Sequence, residues 1–272
     1  MPSVAGLWYY PLKSGRAVAV ESLRAGLRGL EGDRRWMVVD AKQRFLTQRQ
    51  LPDMARIAVS TDGGSLILAV EGHGSLEVAV PVSGAPVRRV QIWGQGVDAL
   101  GASDAAAAWL TEFLGRPCEL VYLAPEMDRA LPPGYSRHGG EAVGFADAFH
   151  ALLSGDGTLA ELNTRLKEKG VEPVPLDRFR PNIAVSGLAA GAEDGWRQVA
   201  IGEVQFRVAK PCERCLVTTV DQQTGERNRD REPLRTLQEY RPDGAGNALF
   251  GQNLVAESAG VIRVGDMVQP LI

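Results

Sequence analysis

The tightest constraint on how this chain can fold is the two-residue rhythm of apolar and polar residues that recurs along it. Ser65-Leu-Ile-Leu-Ala-Val70, Ser75-Leu-Glu-Val-Ala-Val80 and Val87-Arg-Arg-Val-Gln-Ile-Trp93 carry it most clearly, and Ile57-Ala-Val-Ser60 is a shorter case. Alternation of this kind puts one face of a strand in a core and the other in water. Asp62-Gly-Gly64, Gly72-His-Gly74 and Ser83-Gly-Ala-Pro86 punctuate the runs as turns. Trp36-Met-Val-Val-Asp40 reads as a strand that turns at Ala41-Lys-Gln43, and Phe45-Leu-Thr-Gln48 reads as its hairpin partner. Later strands are predicted at Ile183–Ser186, Gln198–Ile201, Val204–Val208, Leu216–Val220, Leu254–Ala256 and across Val261–Val268. Many short strands at such spacing point to a barrel or sandwich.

Helical spacing is scarce. Ser103 is a predicted N-cap for a helix through Leu114, closed by Gly115 and Pro117. A second helix over Thr158–Lys169 carries Leu159, Leu162 and Leu166 on one face and stops at Gly170, with Ser154-Gly-Asp-Gly157 leading into it. A third is expected near Glu232–Tyr240. The fold class is therefore mainly β with a few short helices (α+β). At 272 residues the chain exceeds the usual size of one core. Its Pro- and Gly-rich stretch from Pro125 to Glu141 is the best boundary or lid. A division near residue 120, into 1–120 and 121–272, is expected.

Hydrophobic residues make up 44% and charged residues 23%, as in ordinary globular proteins, and the net charge is −3. Nothing in that balance favours nucleic acid or an anionic membrane surface, so any bound anion has to be held by local Arg and Lys. No apolar run approaches the roughly 18–20 residues that span a bilayer, and the first residues lack the basic and apolar regions of a secretory signal. Three cysteines make no disulfide framework. A reducing, cytoplasmic protein is expected.

Two of those cysteines stand in Lys210-Pro-Cys-Glu-Arg-Cys215. A structural zinc site needs about four ligands, and His73, His138, His150 and Cys118 offer no second pair. A thioredoxin-like dithiol needs a helix after the pair, whereas Cys215 runs into what reads as a strand. Both thiols could instead be small buried hydrophobes, against which Lys210 and Arg214 argue by favouring thiolate. A thiolate at Cys215 would suit a soft metal. Lys13, Ser14, Arg34, Arg180 and Asn182 lie at predicted loop or strand ends, and Pro181 biases Arg180 toward extended backbone. Leu249-Phe-Gly-Gln-Asn253 combines a glycine that permits close approach with two amides. Spacing alone does not bring these groups together.

Taken in order, Tyr10-Pro-Leu-Lys-Ser14, Gly32-Asp-Arg-Arg-Trp36, Phe179-Arg-Pro-Asn-Ile183, Cys212-Glu-Arg-Cys-Leu-Val-Thr-Thr-Val-Asp221, Glu232-Pro-Leu-Arg-Thr-Leu237, Phe250-Gly-Gln-Asn253 and Val264-Gly-Asp266 resemble the MOSC family. The resemblance is to the branch with an N-terminal β-barrel domain, which holds the mitochondrial amidoxime reducing component and bacterial YcbX-type proteins. It implies an N-terminal barrel-like domain followed by a MOSC β-barrel, and a molybdenum–pyranopterin cofactor, with no call for pyridoxal phosphate. Cys215 matches the family's molybdenum ligand. Lys13, Ser14, Arg34, Arg180, Asn182, Arg214 and Asn253 match its anion-holding and pterin-contacting positions, and Asp147 falls near a matching segment.

The implied reaction is two-electron reduction of an N–O bond in amidoximes, hydroxylamines or N-hydroxylated bases. Some relatives carry a four-cysteine ferredoxin-like module, and the mitochondrial ones a membrane anchor. This chain shows neither, so electrons are expected from a separate protein of ferredoxin, flavoprotein or cytochrome type. The rival expectation is a non-catalytic carrier that holds cofactor, or sulfur as a persulfide on Cys215. Fold alone does not choose between them.

Overall fold

The structure is a computed structural model that describes residues 1–82, 84–127 and 129–271. The expected turn residue Ser83 lies outside the described residues, as does Asp128 in the expected boundary stretch. The chain is mainly β, as the alternation required. Its largest sheet has eight strands in the order Val18–Val20, Ser3–Tyr9, Ile183–Ser186, Ala151–Gly155, Leu249–Ala256, Val204–Glu213, Gln198–Ile201 and Val268–Leu271. All its pairings are antiparallel except that of Ala151–Gly155 with Ile183–Ser186, which is parallel and bridged by helix α2 (Asp156–Glu168). A four-stranded sheet runs Trp36–Asp40, Cys118–Tyr122, Gln95–Gly101, Val87–Ile92, and the alternating runs Ala58–Asp62, Ser65–Val70 and Gly74–Ala79 form a meander. Helix α1 (Asp104–Leu114) has Ser103 accepting from the Ala106 amide at 3.2 Å and a left-handed Gly115 at its end, as predicted. Helix α3 is Leu234–Tyr240.

Strand pairing joins the two sides of the expected division near residue 120. Ser3–Tyr9 pairs with Ile183–Ser186, and Ser22–Gly26 pairs with Gly260–Arg263. Val4, Leu7, Leu23 and Ala25 thereby share a core with Leu153, Ile183, Phe206, Leu254 and Ile262. Trp36–Asp40 is buried on both faces: Trp36 and Val38 join the core beneath α1, and Met37 and Val39 join a second with Val90 and Ile92. Phe179 and Phe250 stack with centroids 3.7 Å apart and tie α2 and α3 to the large sheet.

Three expectations from the sequence are corrected. Phe45–Gln48 makes only an isolated bridge to Val39. There the Asp40 amide donates to Arg44 O and the Leu46 amide to Val38 O, the Asp40 carboxylate closing the turn on the Lys42 and Arg44 amides; beyond it the Thr47 amide donates to Gln50 Oε1 and not to the sheet. Leu216–Thr219 is a 3₁₀ turn and not a strand. There the hydroxyls of Thr218 and Thr219 donate to the carbonyls of Cys215 and Leu216 at 3.0 and 2.7 Å, local bonds that outcompete β pairing. Lys210–Glu213 belongs to the strand Val204–Glu213 and does not sit between strands. Ser3–Tyr9 was not legible because a bulge between Val4 and Gly6 breaks its alternation.

Gly251 lies at φ +78, and a Cβ there would meet Leu153 O at 2.6 Å and Ser154 Oγ at 2.7 Å. Gly251→Ala is expected to cost at least about 2 kcal/mol in chemical denaturation, whereas Gly244→Ala, which meets nothing, should be near neutral. His150 is 2% exposed and accepts from the Ala256 amide through Nδ1 at 3.0 Å, and burial lowers its pKa to about 4. The unfolded chain then takes up a proton first as pH falls below about 6.5, so the protein loses stability between about 6.5 and 4. The difference in unfolding free energy between wild type and His150→Asn should change by on the order of 3 kcal/mol across that window. A constant difference would contradict it.

Candidate functional site

The residues that matched the family's cofactor positions, with Asp147, line one cleft. Lys13, Ser14, Arg34, Asp147, Arg180, Asn182, Arg214, Cys215 and Asn253 surround a cavity of about 150 Å³, with Thr47, Arg49, Phe149, Cys212 and Glu213 beside them. The cleft sits where the loop after Ser3–Tyr9 and the segment Thr47–Arg49 face the large sheet.

Its foundation is a buried polar cluster around Asp33. Asp33 Oδ1 accepts from the Tyr10 amide at 2.9 Å and from Asn182 Nδ2 at 3.2 Å, and Oδ2 accepts from Arg34 Nη1 at 2.6 Å. Asn182 also donates to Trp8 O and accepts through Oδ1 from the Leu152 amide and Arg34, both at 3.1 Å. Its amide is thus spent within the protein, and Asn182 acts on the cleft by holding Arg34. The guanidinium carbons of Arg34 and Arg180 lie 4.1 and 4.3 Å from the Tyr10 ring centre. Burial pushes Tyr10 up to about 12, so it stays a neutral phenol that donates to Pro181 O. Burial also lowers Arg180 to about 10, which leaves it cationic at neutral pH.

Ser14, Arg34 and Arg180 each have positive φ, at 66°, 48° and 54°. Non-glycine residues rarely adopt that region, and such strain gathers where surrounding structure over-determines a functional position. Arg34 is fixed through its backbone: its amide donates to Tyr10 O, and its carbonyl accepts from Phe145 N. Gly144 lets this happen, since a Cβ there would lie 2.7 Å from Arg34 O.

Five cations line the cleft (Lys13, Arg34, Arg49, Arg180 and Arg214) against two carboxylates, Asp147 and Glu213. Glu213 is already paired with Lys210 at 2.6 Å. This local excess arises in a chain of net charge −3. Lys13 is ion-paired with Asp147 and donates to Phe145 O at 2.8 Å. Burial lowers the Lys13 pKa, with Asp147 opposing it. For Asp147 the enclosing walls push the pKa up, but Lys13, Arg49 and the Trp93 N–H outweigh them and hold the carboxyl well below its ordinary range. Its side chain is 59% exposed through the mouth of the cleft, so solvent screens these interactions.

The thiols differ in surroundings. Cys212 Sγ accepts from Arg214 Nη1 at 2.8 Å, and Arg214 Nη2 donates to Phe179 O. Cys215 is half-buried and starts the 3₁₀ turn Leu216–Thr219. Cys118 is buried away from the cleft, and burial raises its pKa.

Sequence reasoning missed Thr47, Arg49 and the pair Gln48 and Gln222. These two amides exchange reciprocal bonds at 3.0 Å; Gln48 Nε2 also donates to Ser14 O, and Gln222 Oε1 accepts from Arg180 Nη1. The run Thr47-Gln-Arg49 was hidden by its expected role in a strand, and its polarity just after a β pattern was the available signal.

Two family descriptions match the chain: the MOSC N-terminal beta barrel domain over residues 1–117 and the MOSC domain over 138–269. The chain belongs to the MOSC family, in the form that carries both domains. Among its relatives, mitochondrial amidoxime-reducing component 1 of Homo sapiens is 34% identical over 282 residues, covering 98% of this chain and 82% of that protein. Mitochondrial amidoxime reducing component 2 of Bos taurus is 31% identical over 287 residues (99% and 83%), and component 1 of Danio rerio is 33% identical over 278 (97% and 83%).

Asp33→Ala removes the carboxylate from a largely enclosed Arg34 and orphans the Tyr10 amide. It should cost about 3–5 kcal/mol in denaturant titration. A loss below about 1 kcal/mol would show that the cluster is not holding the cleft.

Proposed function

We propose that this chain binds a molybdenum–pyranopterin cofactor through Cys215 and reduces N-hydroxylated compounds with electrons from a separate redox protein, in the cytoplasm. Convergence of a half-buried thiol with five cationic side chains on one cleft carries the proposal, in a chain whose relatives are named for amidoxime reduction. The donor set fits such a group. Among the described residues no three His, Cys, Asp or Glu side chains gather as a ligand set, so a metal at Cys215 would bring its other ligands with it, as a dithiolene does.

Bound there, the cofactor would supply the two electrons that break the N–O bond, and two protons from solvent would complete the N–H and the departing water. Lys13, Ser14, Arg34, Arg180, Arg214 and Asn253 would hold the pterin and its phosphate, with Asn182 and Gln222 keeping Arg34 and Arg180 in place. Asp147 stays ionised and is therefore an acceptor for substrate N–H groups and not a proton donor.

The test is expression in a host that makes the cofactor, followed by molybdenum and pterin assay of wild type, Cys215→Ala and Cys212→Ala. Near-stoichiometric molybdenum is expected in wild type and Cys212→Ala. Benzamidoxime reduction with a chemical donor should fall in Cys215→Ala by more than the roughly 10–100-fold caused by losing a group that merely orients a ligand. Pterin is retained in that variant if the arginines hold the phosphate. Equal activity in Cys215→Ala and wild type would sink the assignment, and bound cofactor without turnover would favour a carrier.

A further inference from the structure

Trp93 is placed where the fold gains nothing from it. The strands Val87–Ile92 and Gln95–Gly101 pair Ile92 with Gln95, which leaves a two-residue turn of Trp93 and Gly94 at φ 50° and 78°. Turns with both φ positive favour Asn-Gly, and a bulky residue there is strained by roughly 1–2 kcal/mol. Burial does not offset the strain, because Trp93 is 47% exposed and is the one aromatic among the exposed large hydrophobic side chains of the described residues.

Two of its contacts are with side chains that line the cleft, Asp147 and Arg49. Nε1 donates to Asp147 Oδ1 at 3.3 Å, the Arg49 guanidinium lies 4.6 Å from the indole, and Phe45 tilts against it at 5.1 Å. The tip is also braced. Arg129, 4% exposed, reaches Gln95 Oε1 at 3.4 Å while donating to Gly144 O at 3.1 Å and Asp147 O at 3.2 Å.

We infer that Trp93 and Asp147 form a binding subsite at the mouth of the cleft for the planar aromatic or heteroaromatic part of a neutral substrate, the indole stacking on the ring and Asp147 accepting from its N–H groups. Asp147 already has Lys13 and Arg49 beside it, so a cation gains little there and a neutral amide-like group is preferred. The inference rests on the proposed function only in that substrate enters this cleft.

Benzamide, a neutral planar N–H donor with no N–O bond, and acetamide, its aliphatic counterpart, are the probes. Titration of the ¹⁵N-labelled full chain should shift the Trp93 indole N–H and the Asp147 amide saturably with benzamide. Trp93→Asn, the residue the turn prefers, should raise the thermal midpoint, weaken benzamide about tenfold and leave acetamide unchanged, and Trp93→Phe should retain most of the affinity. No benzamide binding to wild type, equal affinity in Trp93→Asn, or a lower midpoint in that variant would overturn the subsite. Benzamidoxime turnover with unchanged KM in Trp93→Asn would also sink it while sparing the proposed function. Trp93-dependent benzamide binding without any reduction would do the reverse.

Discussion

The structure depends first on how Asp33, Arg34 and Asn182 satisfy one another away from water. Asn182 opens a central strand of the large sheet, and its backbone bonds Leu152 on one side and Trp8 on the other. Its side chain reaches Asp33 and Arg34, which follow the short strand Gly29–Leu30. A buried ion pair is weak evidence for stability by itself, because desolvation offsets the Coulomb attraction. Here the remaining lone pairs and protons are taken up by the Tyr10 amide, the Leu152 amide and Trp8 O, so the cluster fixes one arrangement of early and late strands.

The same chemistry makes the cleft rigid before any ligand arrives. Arg34 and Arg180 both border the Tyr10 ring, and Arg180 is held further by the Gln48–Gln222 exchange. Positive φ at Ser14, Arg34 and Arg180 is sustained by these contacts. A cation held in a strained, desolvated position loses little entropy when it meets an anion. That suits the proposed binding of a phosphate-bearing cofactor beside the Cys215 thiol.

Much of the fold was legible because alternation is a local signal. Ser65–Val70 and Val87–Ile92 appear nearly where the rhythm puts them, and the caps of α1 are local too. Errors arose where side chains bond their own backbone. Leu-Val-Thr-Thr has β composition, yet its hydroxyls close a 3₁₀ turn, and Gln50 takes the Thr47 amide, so the pairing expected of Phe45–Gln48 stops at Phe45 and Val39. Such competition depends on rotamers that composition does not encode.

By itself the sequence determined a mainly β chain of modest negative charge, a thiol pair flanked by cations, and an ordered set of motifs that named its family and candidate residues. Only the tertiary structure decided that Lys13 meets Asp147 across 134 residues, that Asn182 serves Arg34 with its amide, that Arg49 lines the cleft and that Trp93 reaches Asp147. Spacing constrains partners within a turn or a hairpin. Contacts between Ser14, Gln48, Arg180 and Gln222 are set instead by which strands lie adjacent in a sheet, and sheet order follows from burying several apolar faces at once.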